Sequence, residues 1–277
     1  MKPSVILCCL WWAGLAAGVK GQTSYAELIE QSYAWVEEDK LPAAEACLRA
    51  ALHLEPANPN NYALLTNLGT IQRRQGKTAE ALLSYTAALS RQPQNALILE
   101  NRASLYLETG ETEKALGDYN LLLLGHPAHQ EALYARGLIY LGQKRYLWAE
   151  QDFDRMLEAD GDSFYGRLGH ALMEKARGNY PESERIYNYL IDRYPRHWPL
   201  YKGRADLYFL MGKNARALND VDKVFFESGA EADLYVLRGK IKLALYERAP
   251  AAADFRKALA MGYDAAVVRE LLALTGH

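Results

Sequence analysis

The chain has 277 residues, enough for one large domain or two ordinary ones. Half is hydrophobic and 24% is charged, which argues against disorder; 32 Lys+Arg against 34 Asp+Glu leaves no basic excess for nucleic acid and no acidic solvating tail. Ala and Leu abound while Val, Ile and Thr are sparse, which favours helix over sheet.

The first segment stands apart. Val5 to Val19 is a 15-residue apolar run preceded by Lys2. A spanning helix needs about 20 apolar residues, so the run has the length of a signal peptide. Val19 and Gly21 place small residues three and one positions before a cut at Gln22. An uncleaved anchor is the alternative, although Lys20 ends the run early. A lipoprotein signal is disfavoured, because Leu7 precedes Cys8 where a small residue is needed. Removing 1–21 takes away Lys2 and Lys20, so 30 basic and 34 acidic residues remain, a net charge of −4. Cys8 and Cys9 leave with the segment, and Cys47 stays without a disulfide partner. No catalytic motif surrounds Cys47, and it is read as a core residue.

Ser24-Tyr25-Ala26-Glu27 is a capping box that starts the first helix. From there a 34-residue period runs along the chain. Glycine recurs at Gly76, Gly110, Gly178 and Gly212. Alanine recurs at Ala81, Ala115, Ala149, Ala217 and Ala251, and large aromatics at Tyr85, Tyr119, Phe153, Tyr187 and Phe255. Prolines follow at Pro93, Pro127 and Pro195. The units are 25–58, then 62–95, 96–129, 130–163, 164–197, 198–231 and 232–265, with Pro59-Asn60-Asn61 as a three-residue insertion between the first two.

Each unit holds two apolar-periodic stretches of helical length. In 96–129 these are Leu97–Glu108 and Thr112–Leu124, parted by Thr109-Gly110-Glu111. Glycine at that turn suits a left-handed helix end. Small residues at Gly69, Ala103, Gly137, Ala171, Ala205 and Gly239 let two helices approach, and a large aromatic fills the space beside them. One such hairpin cannot bury its own apolar face, so the units must stack. Residues 266–275 form a short final helix capped by Asp264, which covers the last unit.

This pattern resembles the tetratricopeptide repeat family over residues 25–265, most clearly in Leu68-Gly69, Ala81, Tyr85, Ala88 and Pro93, then Leu99, Ala103, Tyr106, Ala115, Tyr119 and Pro127. The resemblance implies an all-α, right-handed superhelical solenoid of about seven helix-turn-helix repeats with a C-terminal capping helix. The unit 164–197 departs at Arg167, Glu174 and Ser183, and the last unit at Lys242 and Tyr263; these units are expected to be looser.

No enzyme signature holds. There is no P-loop, no Gly-x-Ser-x-Gly, no His-Glu-x-x-His and no paired cysteine motif. His126 and His129 flank a turn proline without an acid or thiol beside them in sequence, and read as solvated; His197-Trp198 reads as packing. No metal, cofactor or small-molecule substrate is expected. One polar constellation is informative. Arginine occupies the seventh slot at Arg102, Arg136, Arg204 and Arg238, and aspartate the twenty-third slot at Asp118, Asp152, Asp220 and Asp254. These are the same four units, which predicts an ion pair between the two helices of one unit.

The family resemblance further implies a concave face lined by slots 2, 5, 9, 12 and 13 of each first helix, and a protein or peptide bound there. In the units 130–163 and 164–197 these slots hold Tyr134, Leu138, Leu141, Tyr165, Leu168 and Leu172. Acidic slots at Glu100 and Glu108, with Glu131 beside them, precede this apolar stretch; basic slots at Lys175, Lys202 and Lys240 follow it. The alternative is that slots 9 and 12 are packed against the adjoining helix. The family's clamp for a peptide carboxylate is not matched, since the corresponding slots carry Thr66, Thr70, Asn101, Glu131 and Ala135. The expected role is a scaffold or adaptor in an envelope or secretion assembly of a Gram-negative cell, exported to the periplasm or envelope. The second reading is a chaperone-like receptor with many clients. Membrane association is expected only indirectly or through an uncleaved signal.

Overall fold

The computed structural model describes residues 23–229 and 231–276. The apolar run and its cleavage site lie outside the described residues. Fifteen helices and no strand are found among those described. First helices of the units are α1 (Tyr25–Glu37), α3 (Asn61–Arg74), α5 (Ala96–Glu108), α7 (Gln130–Gly142), α9 (Phe164–Arg177), α11 (Trp198–Leu210) and α13 (Ala232–Ala244). Second helices are α2 (Leu41–Leu54), α4 (Thr78–Arg91), α6 (Thr112–Gly125), α8 (Tyr146–Ala159), α10 (Tyr180–Arg193), α12 (Asn214–Ser228) and α14 (Arg248–Ala260). The closing helix is α15 (Ala265–Leu274). The fold is the all-α helical-repeat solenoid that the period implies. The chain falls into two compact units, one ending at Leu133 and one beginning at Tyr134.

Helix ends follow from residue type. The slot before each first helix supplies a side-chain cap in four cases: Ser24 accepts from Glu27 N, Asn95 from Ile98 N, His129 Nδ1 from Ala132 N and Ser163 from Gly166 N. Each cap satisfies a backbone donor that the helix cannot pair internally. Asp264 does the same for α15, accepting from Ala266 N at 2.7 Å and Val267 N at 3.1 Å. Between the helices of a unit the chain passes through the left-handed region, at Gly76, Gly110, Gly178 and Gly212 with φ between 69° and 82°. The insertion before α3 is pinned by Asn61, which is fully buried. Its Nδ2 donates to Glu55 O at 2.7 Å, and its Oδ1 accepts from the Tyr25 hydroxyl at 3.0 Å.

In the first compact unit the core joins Ala44, Leu48, Ala51, Leu64, Leu68 and Ile71. Cys47 is only half-buried, with Sγ 4.0 Å from Gln31 Oε1. This corrects the expectation of a core cysteine: across the seam stands Gln31, where four other units carry an arginine that closes over this slot. Glu45 is the buried acid of this region. It accepts from Arg49, Gln72, Gln75 and Lys77 at 2.7 to 3.2 Å. Burial alone would raise its pKa; the hydrogen bonds from Lys77, Arg49, Gln72 and Gln75 outweigh it and hold the carboxyl at about 2. A depressed folded-state pKa contributes stability that is present above the unfolded value of 4.5 and is lost as pH falls toward about 2. Urea unfolding of wild type and Glu45→Gln should therefore diverge above about pH 5 and converge as pH approaches about 2. Parallel curves across that window would show that Glu45 does not titrate as described.

In the second compact unit the core runs through Ala171, Tyr187, Leu190, Leu200, Ala205, Val221 and Leu234 among others. Phe153 is fully buried against Gly137 and Gly169. A Cβ on Gly137 would lie 2.5 Å from Phe153 Cε1, and one on Gly169 would clash with the same ring. The polar departures of 164–197 have partners. Arg167 donates to Gly161 O at 2.7 Å and lies 4.5 Å from the Tyr189 ring. Glu174 accepts from Asn179, and buried Ser183 donates to Ala171 O at 2.7 Å. Lys242, where an aromatic is common, donates to Asp254 at 2.8 Å.

Candidate functional site

The first helices of the second compact unit carry the expected apolar stretch. Tyr134 and Tyr165 meet with ring centroids 4.9 Å apart. Tyr165 is 43% exposed, whereas Tyr134 is half-buried. Burial, reinforced by the neighbouring Tyr165, pushes the Tyr134 hydroxyl up to about 12. Tyr134 is thus neutral at physiological pH, with one ring face given to the protein. Leu138, Leu141, Leu168 and Leu172 are all half-buried. Leu168 packs on the core of Tyr187, Leu200 and Ala205. The leucines therefore serve packing and surface at once, and Tyr165 projects furthest among these six.

The charges that follow are arranged differently from the expected run of open cations. Lys175 donates to Asp206 at 2.8 Å. Lys202 donates to Asp233 and lies 3.5 Å from Glu231. Asp206 and Asp233 each stand 31 positions after their lysine, on the next first helix, which turns both lysines along the surface. Lys240 forms no ion pair among the described residues. In the first compact unit Glu108 accepts from Arg73 Nε at 3.0 Å. Glu100 faces His129 Nε2 at 3.9 Å, and Glu131 lies 3.6 Å from His129 Nδ1. Burial raises the Glu100 pKa, partly offset by His129, with Glu131 adding to the rise. His129, which reads from sequence as a solvated turn residue, is instead a helix cap beside two carboxylates. Two of the slots that would form a carboxylate clamp are otherwise engaged: Thr66 donates to Tyr62 O, and Thr70 pairs with the Tyr85 hydroxyl.

The Arg/Asp constellation is bidentate in all four units. Nε and Nη2 reach the two carboxylate oxygens at 2.8 and 2.7 Å for Arg102–Asp118, and at 2.9 and 2.6 Å for Arg136–Asp152. The distances are 2.8 and 2.8 Å for Arg204–Asp220, and 2.9 and 2.7 Å for Arg238–Asp254. All four aspartates are buried. In three of these units the remaining guanidinium edge reaches back to the preceding unit. Arg102 Nη1 donates to Thr86 at 3.0 Å and Arg204 Nη1 to Asn188 at 2.7 Å, while Arg238 Nη1 lies 3.7 Å from Asp222. His170, which replaces arginine, places Nε2 2.9 Å from Asp154. Each of these partners occupies the twenty-fifth slot, which is polar at Thr86, Asn120, Asp154, Asn188, Asp222 and Arg256. That periodic polarity was the signal for the second contact. Arg102, Arg204 and Arg238 are thus struts within one unit and ties to the one before it.

No group of three or more His, Cys, Asp or Glu that could hold a metal occurs among the described residues. No described helix is long and apolar enough to cross a membrane. A tetratricopeptide repeat family model matches residues 32–96, 66–125 and 100–164. The chain is 64% identical to a tetratricopeptide repeat protein from Parabacteroides merdae, covering 92% of this chain and 100% of that one, with a TM-score of 0.86. Two more distant structures share the fold. PilW, a type IV pilus biogenesis factor, is 22% identical, with 78% of this chain and 98% of that one covered and a TM-score of 0.66. Pseudomonas aeruginosa pilF is 17% identical, with 76% and 96% covered and a TM-score of 0.58. No curated protein shows a significant match.

Proposed function

The chain belongs to the tetratricopeptide repeat family, whose members typically bind proteins or peptides, and on that basis we infer that it is a non-catalytic scaffold or adaptor that holds a protein segment on the first-helix face of residues 134–277. The observation that carries this reading is the Tyr134–Tyr165 pair, one ring seated and the other exposed, beside four half-buried leucines. A tyrosine offers apolar area while its hydroxyl stays wet, and an exposed apolar patch is favourable only when something covers it. An extended or helical segment with apolar anchors fits such a face. Lys240 is the cation there that remains available to an acidic flank. Lys175 and Lys202, being paired, contribute less to steering than open lysines would. An envelope or secretion assembly, reached by export, is the setting consistent with the apolar run at 5–19 and with the likeness to pilus biogenesis factors.

Crosslinking in native cells identifies the partner. Tyr134→Ala and Tyr165→Ala should then each weaken its binding by about 2 kcal/mol, with cooperative unfolding retained. A double variant that binds as tightly as wild type would remove this face from consideration. The neutralised lysines favour one second reading. A face that relies on apolar contact discriminates little between sequences, which suits a chaperone-like receptor. Stoichiometry separates the two: a scaffold retains one fixed partner, a receptor exchanges many.

A further inference from the structure

The turn joining α7 to α8 differs from most other turns within units. Its left-handed position holds Lys144, at φ 58°, where four other units use glycine. A lysine there is disfavoured relative to glycine, because Cβ crowds the neighbouring carbonyl. Leu147 and Trp148 follow on the first turn of α8 and are 71% and 53% exposed. The same two slots hold Ala79-Glu80, Glu113-Lys114, Pro181-Glu182, Ala215-Arg216 and Ala249-Pro250 in other units. The pair of large apolar residues is therefore peculiar to this turn and owes nothing to the repeat. Arg145 sits 5.1 Å from the Tyr140 ring and 5.5 Å from the Trp148 ring, which are themselves 5.8 Å apart. Neither Lys144 nor Arg145 forms an ion pair among the described residues. The acids that come next in sequence are engaged: Glu150 accepts from Arg177 at 2.8 Å, and Asp154 lies 2.9 Å from His170 Nε2.

We propose that residues 144–148 dock on an anionic phospholipid surface. The turn presents two cations without counter-anions, then a leucine and a tryptophan at a projecting helix start. Lysine and arginine are attracted to acidic headgroups, while tryptophan and leucine enter the boundary beneath them. The apolar pair stands exposed at the start of α8. A deformable headgroup layer accommodates a tip, whereas strong protein contacts centre on well-packed pockets. These residues, on the turn and the start of the second helix, are distinct from the first-helix slots of the proposed partner face. The contact requires no membrane-spanning helix.

Trp148 reports on its own docking. The full-length chain and its Trp148→Phe variant are mixed with vesicles of equal parts phosphatidylglycerol and phosphatidylcholine, and with phosphatidylcholine alone. The difference between the two proteins isolates Trp148 from Trp11, Trp12, Trp35 and Trp198. The Trp148 component should shift to the blue and be quenched by brominated acyl chains on the anionic vesicles only. Lys144→Gln with Arg145→Gln should lower the partition coefficient read from that component roughly thirty-fold. Leu147→Ser, which keeps both cations, should weaken it as well, with the helical circular dichroism of all variants unchanged. An unshifted Trp148 component overturns the proposal, even where the chain sediments with vesicles through its apolar N-terminal run. So does a Trp148 shift of equal size on phosphatidylcholine alone, or one produced by an added protein and not by lipid.

Discussion

Arg136→Ala should lower the stability of the protein by about 3–5 kcal/mol. The reason is the carboxylate left behind. Asp152 is 2% exposed, and both its oxygens accept from Arg136 at 2.6 and 2.9 Å. Truncating the arginine leaves a buried charge without its donors, which costs far more than the pair itself contributes. Replacing both residues, Arg136→Leu with Asp152→Leu, removes the stranded charge and fills the seam with apolar atoms. The double variant should be markedly more stable than Arg136→Ala. Chemical denaturation of the three proteins decides the matter. Equal losses in the single and double variants would mean that the carboxylate is rehydrated and the strut carries no buried cost. The rearward contacts predict a further effect. Asn188→Ala should weaken Arg204 only modestly, since Asp220 still engages two guanidinium nitrogens at 2.8 Å.

Phe153→Ala should be of similar size, about 3–5 kcal/mol, for a different reason. The ring is fully buried and fills the space opened by Gly137 and Gly169. Removing it leaves a cavity bounded by two helix backbones, which have little freedom to collapse. The glycines make the complementary case. Gly169→Ala forces a methyl group into the ring and should cost about 1–3 kcal/mol. In a Phe153→Leu background, where the ring edge is gone, the same Gly169→Ala should cost much less. That non-additivity is the measurement. Additive losses would show that Gly169 is needed for its backbone and not for the room it leaves.

The 34-residue period makes much of this protein legible in its sequence. Small residues at one slot and aromatics sixteen positions later read as a packed pair, and Gly137, Phe153 and their equivalents meet in that way. The same periodic logic named the arginine and aspartate partners, because both lie on facing helices of one hairpin. The helix spans in 96–129 were also readable, with Ala96 and Gly125 each extending one helix by a residue. Cys47 is not readable in this way: the twenty-third slot is buried where an arginine closes over an aspartate, but in the first unit Gln31 stands at the seventh slot and Cys47 stays half-buried.

The candidate site divides along the same line. Tyr134 and Tyr165 could be placed on one face from their slots, since helical spacing within a unit sets which side chains share a surface. The state of the neighbouring charges could not. Lys175 pairs with Asp206, Lys202 with Asp233 and Arg73 with Glu108 across successive units. A repeat pattern gives the direction in which each side chain leaves its helix. Whether a long, flexible cation finds an acid on the next helix depends on how far and at what angle that helix is set. That placement comes from the packing of residues such as Phe153 between its two glycines, and it exists only once the units have stacked.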